Sequence, residues 1–221
     1  GSYHHQDAAE YAEFILAAFL HMDREFGLVP DGLEILLEPD NVSQWNGTTV
    51  GNAIVAVEAR LSAAGYSPEI IAPSCTNMGN AVAYFDALAT VPGALSALDE
   101  ICYHRYGGVS DTNLQALALR GRRQGKRTSM LEWWSTGNGI DTLFKDLAMG
   151  ETSAWQHGVL CGIGAPNDDM PLYMVDASDP SAPVVAINRK ARLARQVYRF
   201  VRRGAVRVGA SVQAGSAQAL A

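Results

Sequence analysis

The sequence predicts an α/β fold in which parallel strands alternate with helices and curve in the manner of a (β/α)8 barrel. Three observations point there. Apolar runs of strand length alternate with amphipathic helical stretches, and the connections between them are short. No GxGxxG or GxxxxGK[ST] follows an early strand, and an open doubly wound sheet would bring such a phosphate loop. Polar and aromatic residues close several different strands: Glu38, His104 with Tyr106, Glu132, and Trp155 with Gln156. A barrel collects its working groups at the carboxyl ends of its strands.

Taken in order, Asp7 caps a helix, with Glu10 as its capping-box partner, and Gly27 ends it. Tyr11, Phe14, Ile15, Ala18, Phe19, Met22 and Phe26 form its apolar stripe. Pro30-Asp31-Gly32 turns the chain into a strand, Leu33–Glu38, which Pro39 stops. Thr48 or Thr49 caps a helix over Val50–Ala64, and Gly65 closes it. Pro68–Ala72 reads as a strand and Pro73-Ser74 as its loop. Gly79–Thr90 is helical, broken at Pro92 and resumed to Leu98. Glu100–His104 is a strand followed by a Gly107-Gly108 loop. A helix capped by Ser110 or Asp111 runs to Gln124, with Gly125 as its stop. Thr128–Glu132 is the next strand, followed by a loop with Gly137 and Gly139, a helix over Ile140–Met149, and a strand over Ser153–Leu160. Leu172–Val175 and Val184–Ile187 form a hairpin. A basic helix follows, with Leu193, Val197, Phe200 and Val201 as its apolar stripe, then Ala205–Ser211 and a small-residue tail, Gln213–Ala221, expected to be disordered.

The chain has 221 residues and is 48% hydrophobic, enough for one domain with a sizeable core. Charge is uneven. Residues 1–100 hold 14 acids and two basic residues, whereas eight basic residues crowd between Arg189 and Arg207. No aromatic residues interleave with that basic cluster in the way base stacking needs, so it reads as a solvated helix face and not as a nucleic-acid patch. No apolar run is long enough to span a membrane. The first residues lack a basic stretch followed by an apolar one, so no signal peptide is expected in this chain. Cys75, Cys102 and Cys161 are scattered and odd in number, and read as buried free thiols. No His/Cys/Asp spacing suits zinc, and neither a metal nor another cofactor is expected. Asn41-Val42-Ser43 and Asn46-Gly47-Thr48 fit the glycosylation pattern and read as chance matches.

Glu38 and Glu132 end two apolar runs 94 residues apart. Two carboxyl groups facing each other across a cleft suit glycoside hydrolysis. One holds a proton for the leaving oxygen and the other stays ionised to attack the anomeric carbon. Burial and mutual charge push two such acids apart in pKa. His104 and Tyr106, two apart on a strand, share a face and are placed to orient the nucleophile or bind sugar hydroxyls. Trp45, Trp133, Trp134 and Trp155 offer ring faces for a pyranose, Trp155 first among them. One of Trp133 and Trp134 is expected to be packing only, and Arg105 and Arg127 to be structural.

Several segments carry a family likeness: LEPDN at Leu37–Asn41, IIAPS at Ile70–Ser74, YHRYGG at Tyr103–Gly108, MLEWW at Met130–Trp134, SAWQ at Ser153–Gln156 and VYRFVRRGAVRVGAS at Val197–Ser211. Their order resembles the clan of retaining β-glycosidases with (β/α)8 barrels, and most of all glycoside hydrolase family 30. The resemblance implies that the strands present are the fourth to the eighth, giving a partial barrel over residues 1–203 that lacks the first three strand–helix units. Residues 204–221 would then be the start of a further β region and a tail. It implies Glu38 as general acid/base and Glu132 as nucleophile. It adds a β-linked carbohydrate as substrate, with Asn41, Trp45, His104, Tyr106, Trp133, Trp155 and Gln156 as contacts. The family motif is Asn-Glu-Pro, and its asparagine holds the sugar 2-hydroxyl. Leu37 stands at that position here, so the contact is lost or passes to a residue such as Asn41. Five strands do not close a barrel. The chain is therefore expected to be part of a longer enzyme, secreted or periplasmic when whole, and inactive or poorly stable alone. The alternatives are a carbohydrate-binding fragment or pseudoenzyme and, more weakly, an open-sheet ligand-binding domain.

Overall fold

A computed structural model describes residues 6–134, 139–164 and 171–210. Gly137 of the expected loop and the tail Gln213–Ala221 lie outside them.

Helix α1 spans Ala8–Phe26, with the Asp7 carboxylate accepting from the amides of Ala9 and Glu10 and Gly27 closing it at φ 62°. Its buried face is Tyr11, Ala12, Ile15, Leu16 and Phe19, whereas Phe14 and Phe26 are exposed. The expected stripe was thus rotated. Tyr11, Ile15 and Phe19 lie inside it, and Ala12 and Leu16 complete the face.

Strand β1, Gly32–Glu34, is shorter than the expected Leu33–Glu38. The chain still follows β2 beyond it, through the bonds Ile35 N to Ile71 O (2.9 Å) and Glu38 N to Ser74 O (3.0 Å). Glu38 itself turns left-handed (φ 47°) and leads into a 3-10 turn, Pro39–Asn41. Helix α2, Gly47–Ala63, starts on a capping box between Asn46 and Thr49, so Thr49 answers the cap and Asn46 makes it.

Strand β2 runs over Glu69–Asn77, through the Pro73-Ser74 segment expected to be a loop. Pairing with its neighbour continues past two register shifts, so tertiary pairing overrides the local turn preference. Asn77 caps α3, Met78–Leu88, and α4 covers Ala94–Ala97. Strand β3, Glu100–Gly107, continues three residues beyond expectation. Gly107 and Gly108 then pass so close to Asn77 that a Cβ at Gly108 would meet its Oδ1 at 2.0 Å. Helix α5, Asp111–Gln124, is capped by Ser110 and closed by Gly125. Strand β4 is Arg127–Glu132, α6 is Ile140–Lys145 followed by a π-type turn over Asp146–Gly150, and β5 is Thr152–Trp155.

The five strands lie in the order β1-β2-β3-β4-β5, every pair parallel. Each new strand joins the same growing edge, so the order has no switch point. A doubly wound sheet would reverse direction once, and that reading is therefore wrong. The sheet curls into half of a (β/α)8 barrel with helices between its strands. The core includes Val50, Ile54, Val57 and Leu61 of α2, Phe85 and Leu88 of α3, Leu114 and Leu117 of α5, and Ile70 and Ile101 of the sheet. Each such side chain contributes about 1.5–3 kcal/mol by leaving water.

The rest of the chain differs from expectation in detail. The expected Ser153–Leu160 strand stops at Trp155, and a separate strand β6, Cys161–Ile163, joins the hairpin of β7, Tyr173–Asp176, and β8, Val184–Ile187. Cys161 is exposed, while Cys75 and Cys102 are buried, and all three are free. Helix α7 covers Arg189–Tyr198, so Phe200 and Val201 fall beyond it and are exposed. Residues 199–210 hold no strand, and Arg207 reaches back to the carbonyls of Leu147 and Ala148. Among the described residues no helix is long and apolar enough to cross a membrane.

Candidate active site

The carboxyl ends of the five strands carry a connected polar cluster. Glu38, His104 and Glu132 each bring one oxygen or ring nitrogen within 4.8 Å of the others. The strands explain the convergence. His104 and Glu132 are partners across β3 and β4, beside a register shift that follows Tyr103. Glu38 hangs over them from the left-handed bend after β1.

Each acid is held from several sides. Glu38 Oε1 lies 2.8 Å from His104 Nδ1, and Oε2 accepts from Asn41 Nδ2 at 2.7 Å. The amide of Asn41 thus serves the acid. The turn bearing both residues is pinned by Asp40, whose carboxylate accepts from Thr76 N (2.8 Å), Asn77 N (3.1 Å) and Asn80 Nδ2 (2.9 Å). Glu132 Oε1 accepts from the Tyr106 hydroxyl at 3.0 Å. Burial first, and then that bond to Glu132, push the Tyr106 pKa above the ordinary phenol value, so it donates. The same geometry bears on cation binding. Because His104 Nδ1 faces Glu38 and Nε2 faces Ser74, the ring spends both nitrogens inside the protein.

The tryptophans divide. Trp134 is partly open and sits edge-on to Tyr106, with ring centroids 6.1 Å apart. Trp133 and Trp155 pack against the core and against each other at 6.2 Å. Trp45 packs edge-on to Tyr11, and its carbonyl accepts from the Tyr84 hydroxyl. Gln156 is exposed, next to Trp155, and its backbone N–H donates to Met130 O. The structure therefore gathers Glu38, Asn41, His104, Tyr106 and Glu132, lines their edge with Trp134, and sets Trp133 and Trp155 behind.

Four contributors escaped the sequence reading. Glu34 reaches Ser74, which reaches His104. Its signal was present, since Glu34 and Glu38 are four apart and share a face of an extended chain. Ser74, next to Pro73, has the local composition of a loop. Gly158 lies against the second acid: a Cβ there would come 3.0 Å from Glu132 Cγ and 2.9 Å from Trp134 Cδ1. Asp146, fully buried, accepts from Tyr103 Oη (2.7 Å), Arg105 Nη1 (2.6 Å) and Trp155 Nε1 (2.9 Å). Burial raises its pKa, and Arg105, Tyr103 and Trp155 oppose that rise. Arg105 is thus structural, as is Arg127, which pairs with Glu69 and Glu100.

The fold is shared with several solved structures. The chain matches the catalytic domain of a GH30 xylanase C from Talaromyces cellulolyticus with a TM-score of 0.74 at 17% identity, over 94% of this chain and 49% of that one. It matches SrfJ from Salmonella typhimurium at 0.72 and 16% identity, over 89% of this chain and 48% of the other. A conserved exported protein from Bacteroides fragilis gives 0.73 at 14% identity, over 96% and 54%. The chain therefore spans about half the length of the structures it matches. No protein-family model matches it, and no curated protein does so significantly.

Proposed function

We propose that this chain carries the carboxylate pair of a retaining β-glycoside hydrolase. The observation behind this reading is the approach of Glu38 and Glu132 to within 4.8 Å at the strand ends. Retention requires carboxyl groups about 5–5.5 Å apart, whereas inversion needs room for a water and about 6.5–9.5 Å. Glu132 attacks the anomeric carbon as the glycosidic C–O bond breaks, and Glu38 gives its proton to the departing oxygen. Glu38 then takes a proton from water, whose oxygen bonds to the anomeric carbon and releases Glu132. Tyr106 steadies the attacking carboxylate, and Trp134 offers a ring at the cleft edge. The carbohydrate partner follows from this chemistry and from the xylanase among the similar structures.

A 2-deoxy-2-fluoro-β-glycosyl fluoride tests the reading, because fluoride leaves without help and the fluorine slows release. With a gluco, xylo, galacto and fuco panel, mass spectrometry is expected to find one sugar bonded to the peptide containing Glu132. Glu132→Gln should remove the adduct. Binding without any adduct would instead support a carbohydrate-binding role. One observation favours that second reading: Leu37, exposed, stands where the family motif has the asparagine that holds the 2-hydroxyl.

Gly158 supplies a further expectation. Gly158→Ala pushes on Glu132 and Trp134 together, and a displaced nucleophile should slow labelling on the order of tenfold while the fold persists. Equal labelling rates would show that the strand end yields.

A further inference from the structure

Behind Glu38 runs a buried chain of hydrogen bonds that ends on a second carboxyl. Glu38 Oε1 is 2.8 Å from His104 Nδ1, His104 Nε2 is 3.0 Å from Ser74 Oγ, and the Ser74 hydroxyl donates to Glu34 Oε1. His104 and Ser74 are wholly buried, and the side chains of Glu34 and Glu38 are 31% and 22% exposed. Water thus has access only at the two ends. Glu34 Oε1 lies 3.9 Å from His104 Nε2, so the serine is the bridge.

With a neutral ring, counting hydrogens leaves this chain two polarities, the first set by the Ser74 hydroxyl donating to Glu34. Ser74 has one, and it points to Glu34. His104 Nε2 must then donate to Ser74 Oγ. A neutral ring with its proton on Nε2 has only a lone pair on Nδ1, so the proton between Nδ1 and Glu38 belongs to Glu38. In this arrangement, with the ring neutral, the proton counted between Nδ1 and Glu38 sits on the Glu38 side. The reverse state also satisfies every group: Glu34 protonated and donating to Ser74, Ser74 donating to Nε2, and Nδ1–H donating to an ionised Glu38. The two states differ by one concerted shift of three protons, with none gained or lost.

We propose that Glu34 is a positioning residue for Glu38, acting through Ser74 and His104 so that the two carboxyls share one proton along a buried relay. Backbone strain marks the same place. Among the described residues three non-glycine residues have positive φ, and two of them, Glu38 and Ser74, belong to the relay. A left-handed non-glycine residue is strained and is retained where surrounding structure demands it. Among the described residues, the other titratable groups facing His104 are Glu132 and Tyr106, Cys102 hydrogen-bonds Ser74, and Asp40 and Cys75 lie beyond. Burial raises both thiols, which stay protonated and leave the relay its own charges.

The catalytic consequence rests on Glu38 being the acid, but the relay itself is tested without turnover. Side-chain 15N NMR of His104 in the full chain at neutral pH should find the ring proton on Nε2. Glu34→Leu removes the acceptor and should move it to Nδ1. A wild-type ring protonated on both nitrogens, facing two ionised carboxylates, overturns the proposal even if no variant folds, whereas a proton on Nδ1 alone would be the reverse state of the same relay. In kinetics, Glu34→Leu and Ser74→Ala should each move the basic limb of the kcat/KM profile to lower pH by about one unit, the scale of coupled carboxyls. A shift in Glu34→Leu alone would mean that only its charge matters and would overturn the relay, as would no shift in either. An Nε2 proton without a Glu132 adduct would remove the hydrolase reading and leave the relay standing.

Discussion

Glu38→Ala is expected to lower turnover by about 10²–10⁴-fold on β-glycosides whose leaving oxygen needs a proton. On dinitrophenyl glycosides the first step should barely change, because that leaving group departs as an anion. The second step then becomes slow, since no base remains to deprotonate water, and a glycosyl-enzyme accumulates on Glu132. Azide needs no deprotonation and fits the space vacated by the carboxylate. It should restore turnover and yield the β-glycosyl azide. A series of aryl glycosides read as log kcat/KM against leaving-group pKa checks this. The wild type should give a shallow slope and the variant a steep one. A uniform loss across the series would mean that Glu38 only holds the sugar, with Asn41 and His104 aligning it for binding and not for proton transfer.

Much of this geometry was legible in the chain. The alternation of strands and helices, caps at Asp7 and Ser110, and glycine stops at Gly27 and Gly125 sit where local chemistry put them. Glu38 and Glu132 stood out because apolar strand-like runs end on them. What stayed hidden depends on partners distant in sequence. Pro73-Ser74 has the composition of a turn, yet β3 extends beside it and β2 runs five residues past the expected end at Ala72. Glu38 looked like a strand terminus, but regular pairing stops at Glu34 and a left-handed bend delivers the acid. Asp146 sits in an unremarkable helical stretch, and its partners Tyr103 and Arg105 are over forty residues earlier. No local pattern announces such a meeting.

Asp146→Ala is expected to cost about 3–5 kcal/mol, because it leaves the Arg105 guanidinium, only 7% exposed, buried without its partner. Against a total domain stability of about 5–15 kcal/mol, that loss is close to disabling. Asp146→Asn keeps the volume but meets three donors with one carbonyl oxygen, so part of the penalty remains. The double variant Asp146→Leu with Arg105→Met removes both charges and should recover most of the loss, as buried ion pairs replaced by apolar side chains commonly do. Urea denaturation of the wild type, Asp146→Leu, Arg105→Met and the double variant forms the cycle, with an unchanged m value showing that the same unfolding is compared. A cost below about 1 kcal/mol for Asp146→Ala would mean that Arg105 finds another acceptor or reaches water. The site feels the same change. Trp155 loses the acceptor of its indole N–H, and with it the fixed edge against Trp133. Labelling of Glu132 should therefore slow in the double variant even where stability returns, which separates what Asp146 does for the fold from what it does for the cleft.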